Sequence, residues 1–482
     1  RPMVLVLTVI VLQSISFANY ALTTKTTNII YGSAPYLTFD GGRTRVTNTE
    51  ALLGISLSDG RTFTPTTNNS SFDNPIILPV VGQSFNDIGM LVPRNTDSIA
   101  LSSLIGAPYN YWGDDDGDGQ GIDGITATGS LNLSIVDNRY HPVARNEVLT
   151  ICKAPYVLFL SNGEGTLTTR YGVPNESRFT HSFVQYYISP KVLSPEICFA
   201  HPSNYSHGAD ELSDWLDNLG FFTQSVTPSS YGLNFPTTGA HNLFFDLRIA
   251  GTNQDLSWAP QDLSWAPVSH GGITATMTRG VNNTPDSPVF YKVRVTLTGP
   301  TVTDRNQWHT DNPDRIGRPS LPQVFELVGR DSRGNAVVKY GFELKQWFVL
   351  QRYPRSRSYI SSWCNKIGGY RLSKVRDLTN ASCQGSGSER CGDYANEIVG
   401  ATPSSSNNRL ARHIGAGFFT EWGSMDYLDT DFVRTDRFIT SDQTSDNRYQ
   451  GYVGRQGGFI SLTEPDGSYH EYWAFEALCV YP

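Results

Sequence analysis

FELVGRDSRGNAVVKYGFEL, residues 325–344, reads as a strand, a turn and a second strand: FELVGR pairs with AVVKYGFEL across the Gly-containing turn Asp331–Asn335. Working outward, Tyr291, Val293, Val295 and Leu297 alternate with Lys292, Arg294, Thr296 and Thr298, and Gly299-Pro300 stops the run. Upstream, Leu131, Leu133 and Ile135 alternate with Asn132 and Ser134; a turn at 137–142 then leads to a strand through 148–151. Short alternating segments bounded by Gly, Pro, Asn and Ser fill residues 22–350, the pattern of antiparallel sheets with one wet face. The predicted class is therefore mainly β, with Ig-like β-sandwiches through this span.

At 482 residues the chain is long enough for two to four domains of about 150 residues each. With 39% hydrophobic and 17% charged residues, and with 24 Tyr, 24 Phe and 9 Trp, the balance is that of a folded, aromatic-rich protein. The net charge of −8 argues against nucleic acid as a partner, since backbone neutralisation needs a clustered excess of cations. Near the N-terminus, MVLVLTVIVL from Met3 to Leu12, followed by small Ser16 and Ala18, reads as a secretory leader over 1–18. The run is too short for a permanent membrane span, and no other segment approaches that length. The same apolar run would also serve as a buried or donated strand.

Composition changes after Val349, where QRYPRSRSY interleaves Arg352, Arg355 and Arg357 with Tyr353 and Tyr359 and reads as a solvated linker. Ile360, Trp363, Cys364 and Ile367 then fall on one helical face that ends at Gly368-Gly369. Ser373 can cap a second helix with Val375 and Leu378 inward, and the rest returns to strands, so the terminal part is predicted as α+β. The domain plan is 1–18 leader, 19–124 N-terminal β domain, 125–352 Ig-like region and 353–482 terminal domain. GITAT recurs at 124–128 and 272–276, a hint of duplication, while QDLSWAP at 254–260 is repeated at once over 261–267, carrying Trp258 and Trp265. A seven-residue insertion inverts a strand's alternation, which places the repeat in a loop or bulge.

Six cysteines without a C-x-x-C pair point to disulfides and an oxidising compartment. Cys152 and Cys198 fall together, and Cys364, Cys383, Cys391 and Cys479 fall in the last quarter. Of the three pairings open to those four, the expectation is the nested one: Cys364 with Cys479 around Cys383 with Cys391. In YWGDDDGDGQGIDG, Asp114, Asp116, Asp118 and Asp123 could wrap one structural Ca²⁺, although the loop is not an EF-hand because Ile125 stands where the bidentate Glu is required. TEPDG, 463–467, has the letters of a sugar-binding Ca²⁺ triplet but reads better as a turn. No H-E-x-x-H, G-x-S-x-G, P-loop or dinucleotide pattern occurs, and the chain is not expected to be an enzyme.

Longer strings carry a resemblance. SSWCNKIGGYRLSKVRDLTNA, GATPSSSNNR, IGAGFFTEWGSM and the closing LCVYP resemble the C-type-lectin-like adhesion domain of the enterobacterial invasin/intimin family, most nearly its invasin E type. YWGDDDGDGQG, CKAPYVLFLS, YGLNFPTTGA and LPQVFELVGRDSRGNAVVKYGFELKQWFV are similar to the Ig-like region that precedes it, so the resemblance spans about residues 105–482. It implies a secreted or cell-surface adhesin that binds a protein receptor on a host or neighbouring cell through residues 353–482, with the family's terminal disulfide carried onto Cys364 and Cys479. Relatives that display themselves carry a barrel and a periplasmic anchor, which leaves three readings open here: a secreted chain, one held by a surface-anchoring partner, or an incomplete copy. Alternatives are a glycan-binding lectin and a structural subunit of a surface polymer. Contacts are expected from the loops 422–431 and 447–458, with Trp422, Tyr427 and Arg455 as receptor-binding candidates.

Overall fold

The computed structural model describes residues 31–482 except 118–123, 203–209, 212–213, 217–218, 251–261, 280–290, 353–355, 424–436, 456 and 464–474. The leader, Asp118, Asp123, Trp258, Tyr427 and most of TEPDG lie outside the described residues. The chain forms two compact units, residues 1–191 and 192–482, and the described part is mainly β. No described helix is long and apolar enough to cross a membrane.

The first unit holds β1 (Ile76–Ile77), β2 (Ser98–Ala100), β3 (Ile125–Ala127), β4 (Ser130–Val136), β5 (Tyr156–Asn162), β6 (Gly165–Thr169), β7 (Glu176–Phe179) and β8 (Ser182–Ser189). One sheet has the order β1-β8-β5-β4-β2 and a smaller one the order β7-β6-β3. The alternation legible in the sequence sets the faces: Leu131, Leu133 and Ile135 are buried while Asn132 and Ser134 are exposed.

The second unit begins with β9 (Glu196–Pro202), β10 (Trp215–Leu216), β11 (Gly220–Phe222), β12 (Thr238–Ala240), β13 (Phe244–Ala250), β14 (Ser264–Trp265), β15 (Val268–His270), β16 (Ile273–Arg279), β17 (Tyr291–Thr298), β18 (Gln323–Arg330) and β19 (Ala336–Leu344). A seven-stranded sheet, β10-β11-β9-β13-β17-β16-β15, faces the three strands β14-β18-β19. Phe245 meets Phe342 edge-on at 5.9 Å, and Phe325 stacks on Phe342 at 5.2 Å, which makes the pair of sheets a sandwich. The hairpin 325–344 turns at Asp331, whose carboxylate accepts the Arg333 and Asn335 N–H groups at 2.9 and 2.8 Å. The two GITAT strings occupy unlike places: β3 is the edge of a three-stranded sheet, and β16 is an inner strand of the seven-stranded one.

The chain then continues through β20 (Gln346–Gln351), α1 (Arg357–Lys366), β21 (Arg371–Leu372), α2 (Val375–Leu378), α3 (Phe418–Trp422), β22 (Arg437–Gln443), β23 (Gln450–Gly454), β24 (Ile460–Thr463) and β25 (Phe475–Tyr481). These make a third sheet in the order β12-β20-β25-β22-β23-β24, with β21 beside β25. Its first strand belongs to the sandwich segment: β12 runs parallel to β20, with Thr238 opposite Gln346. One hydrophobic core consequently runs from Ile197 to Val480 through sandwich and terminal part alike.

The helical face Ile360, Trp363, Cys364 and Ile367 is wholly buried. Ser373 does not cap α2; Lys374 holds the N-cap position, and the Asp442 carboxylate accepts the Val375 N–H at 2.6 Å from a distant strand. Cys364 is bonded to Cys479, tying α1 to β25, and Cys383 to Cys391. Cys152 and Cys198 are disulfide-bonded as well. In the arginine-rich segment, the Arg352 guanidinium lies 5.1 Å from the Trp308 ring, and Arg357 opens α1.

Candidate functional site

The strand β22 leads into a turn, 444–449, whose four central residues are exposed, before the chain returns as β23. Thr444 and Asp446 build it. The Thr444 hydroxyl donates to Asp446 Oδ1 at 2.6 Å, which also accepts the Arg448 N–H at 3.0 Å, and Thr444 Oγ1 accepts the Tyr449 N–H at 3.1 Å. Asn447 takes φ +58°, a left-handed conformation that asparagine tolerates better than most residues. These donors hold the Asp446 carboxyl below its usual range, with the Thr444 hydroxyl the largest cause.

A neighbouring loop braces this turn. The Tyr394 hydroxyl donates to Asp446 Oδ2 at 2.8 Å, and its ring lies 5.0 Å from that of Tyr449. Glu397 accepts the Ser445 N–H at 2.6 Å. The loop has a fixed base, because Cys391, three residues before Tyr394, is bonded to Cys383 and buried. Around Ser445, Asp446, Asn447 and Arg448, all exposed, the surface adds Asn396, Glu397 and the 60% exposed Val399. The result is a preorganised polar and aromatic knob without a buried reactive group.

The three receptor-binding candidates fare differently. Trp422 is fully buried, its indole N–H donating to the Thr238 carbonyl and hydroxyl at 3.1 Å and its ring packed 4.9 Å from Phe235. It is a core residue and cannot touch a partner, so the sequence expectation for it is corrected. All five residues of α3 are buried, between Gly417 at φ +109° and Gly423 at φ +79°, and the partners that bury Trp422 come from the distant segment around Phe235 and Thr238. Tyr427 lies outside the described residues. Arg455 is half-buried just past β23.

Sequence reading missed Glu421. Its carboxylate is fully buried and accepts the N–H groups of Thr237, Thr238 and Gly415 at 3.0, 2.9 and 2.8 Å, and the hydroxyls of Thr237 and Thr238 at 2.7 and 2.6 Å. Burial raises its pKa against the pull of those donors. The available signal was an acid inside the aromatic string FFTEW, where a charge survives only if its partners are supplied from elsewhere.

In the first unit, Asp114 and Asp116 are the described members of the expected Ca²⁺ set, and the loop makes contacts of another kind. Asp115 pairs with Arg45 and accepts the Tyr36 hydroxyl at 3.2 Å, while Asp116 accepts the Ser33 N–H at 2.7 Å. Gly113 is required here, since a Cβ would sit 2.5 Å from the Tyr36 ring.

No family model matches the sequence, and no curated protein does. Among solved structures, the chain is similar to the crystal structure of the C-terminal 282-residue fragment of intimin in complex with the intimin-binding domain of the translocated intimin receptor. That likeness has a TM-score of 0.29 at 9% identity and covers 75% of this chain and 100% of the fragment. It is too slight to carry an argument.

Proposed function

We propose that this chain is a secreted or cell-surface bacterial adhesin whose terminal part, 353–482, binds a protein receptor on a host or neighbouring cell. The contact face is the knob formed by 394–399 and 444–449. The supporting observation is the knob's construction: an exposed polar and aromatic turn, braced by Tyr394 and Glu397 and footed on a disulfide. Such a surface is ordered before it meets a partner, which lowers the entropic cost of binding. Disulfide-bonded cysteines fit an extracellular site of action. The motifs that resemble the invasin/intimin family agree with the same reading.

The test is retention of the full chain on cultured cells, before and after the cells are stripped with protease. Binding should be lost on stripping and should fall at least tenfold for Arg448→Glu, a substitution at an exposed position. Binding that survives stripping but fails after glycosidase treatment would replace the protein receptor with a glycan. A structural Ca²⁺ at the acidic loop is a subsidiary proposal; it requires the melting temperature of the first unit to rise with added Ca²⁺ and to fall again with chelator.

A further inference from the structure

The outward face of the sheet β7-β6-β3 carries a ladder of threonines that changes character along its length. Thr166 and Thr128 satisfy each other: their hydroxyls lie 3.2 Å apart, and Thr128 Oγ1 accepts the Thr166 N–H at 3.1 Å. One rung on, Thr168 is paired with Thr126, and the hydroxyl of neither has a partner among the described residues. The next rung joins Arg170 to Gly124, the Arg170 N–H donating to the Gly124 carbonyl at 3.1 Å. Gly124 has no side chain to fill its place, and a cavity of about 250 Å³ opens there, lined by Gly124, Thr126, Thr168, Thr169 and Arg170. Arg170 is exposed and makes no ion pair among the described residues, and its guanidinium lies 5.4 Å from the ring of the 55% exposed Tyr171. The turn behind it is fixed: Thr169 Oγ1 reaches the carbonyls of Tyr171 and Asn175, both at 3.3 Å, and the Asn175 side-chain amide donates to the Thr169 carbonyl at 3.2 Å.

We infer that this cavity binds a sugar ring bearing a carboxylate. Directly opposite residues of an antiparallel pair stand about 5 Å apart, and two residues along a strand cover about 7 Å. Two threonine hydroxyls therefore flank one end of the cavity and a guanidinium closes the other, a separation spanned by a pyranose with hydroxyls on one side of its ring and a carboxylate on the other. The planar fork of Arg170 matches a carboxylate bidentately, and its position over Tyr171 restrains it before a ligand arrives, so less rotamer freedom is lost on binding. Thr126 and Thr168 each offer a donor and two acceptor lone pairs, which suits sugar hydroxyls, themselves donors and acceptors. A bare carboxylate would use the arginine alone, and a neutral sugar would forgo the charge-assisted pair. Every residue of the site belongs to the first unit, so the inference is independent of the contact face proposed for 353–482.

The test titrates the full chain with D-glucuronate and with N-acetylneuraminate, against glucose and acetate, by saturation-transfer NMR. At the affinity usual for a ligand of this size, at least one of the two acids should saturate with a dissociation constant of about 1 mM, and glucose should bind about tenfold more weakly. Arg170→Ala should weaken binding of the acid about tenfold, and Thr126→Val with Thr168→Val about fivefold. The melting temperature should stay unchanged in both variants, because these side chains stand on the outward face. A saturable response to neither acid overturns the inference. So does acetate binding as tightly as the acids, which marks a bare anion site, or an acid affinity unchanged in Arg170→Ala, which places the sugar elsewhere in the chain. Should the threonine variant fail to fold, Arg170→Ala still decides.

Discussion

Replacing Glu421 probes how the terminal part is joined to the sandwich. Its carboxylate binds Thr237 and Thr238, ahead of and within β12, while its own helix belongs to the terminal part. Glu421→Ala strands two buried backbone N–H groups, those of Thr237 and Thr238, with a part-buried one at Gly415, and leaves a cavity. Unsatisfied buried donors cost about 1–3 kcal/mol each, and relaxation and water entry recover part, so the net loss should be about 3–5 kcal/mol. Glu421→Gln keeps the volume and one acceptor oxygen but turns an NH₂ group toward the donors of one side; about 2 kcal/mol is expected. With a urea slope of about 2–3 kcal/mol/M, the alanine variant should lower the midpoint by about 1–2 M, read by tryptophan fluorescence. The same shift should appear by circular dichroism, because Trp422 and the strands share one core. An alanine variant within about 1 kcal/mol of wild type, or a loss no larger than that of glutamine, would refute the reasoning.

Other perturbations follow from the same contacts. Burial raises the Glu421 pKa in the folded state, so the unfolded chain ionises first as pH rises and the folded state binds more protons in between. This contribution is complete below the unfolded value near 4.5 and is lost as pH climbs through the raised folded pKa; the wild-type minus Glu421→Gln stability difference, followed by denaturation at several pH values, should therefore decline over that interval. Removing the Cys364–Cys479 bridge by paired serine substitution opens a separation of 115 residues and should cost about 5 kcal/mol, whereas the Cys383–Cys391 bridge, eight residues apart, should cost about 2–3 kcal/mol. Leu327→Ala, fully buried between the sandwich sheets, should cost about 2–5 kcal/mol by chemical denaturation.

What the sequence made legible was local. The hairpin 325–344 and the buried face of α1 follow from periods of two and of 3.6 that any short window contains. Clustering of the cysteines narrowed the pairings of the last four to three, of which the structure holds the nested one. What stayed hidden was contact between distant residues. Trp422 looked like a surface anchor because polar and aromatic residues mix in 422–431, yet the partners of its indole lie 184 residues away at Thr238. Glu421 depends on the same distant strand, and Asp442 caps α2 across 67 residues. Similarly, Asp115 is matched by Arg45 from 70 residues upstream, a counter-charge that the acidic string alone does not disclose. In the knob, the loop 447–458 drew notice for its composition, but Tyr394 and Glu397, which brace the turn, come from a separate part of the chain.

Competition on cells tests the proposed role most directly. The second unit, residues 192–482 with Cys198, which is disulfide-bonded in the full chain, changed to serine, retains β12 and the partners of Glu421, which a fragment beginning at 353 would sever. An excess of this unit should displace the labelled full chain from cells, while the same unit carrying Tyr394→Ala and Arg448→Glu should fold but fail to compete. If the wild-type unit leaves binding untouched, the contact lies elsewhere in the chain; if both forms displace it equally, the knob is not the contact face.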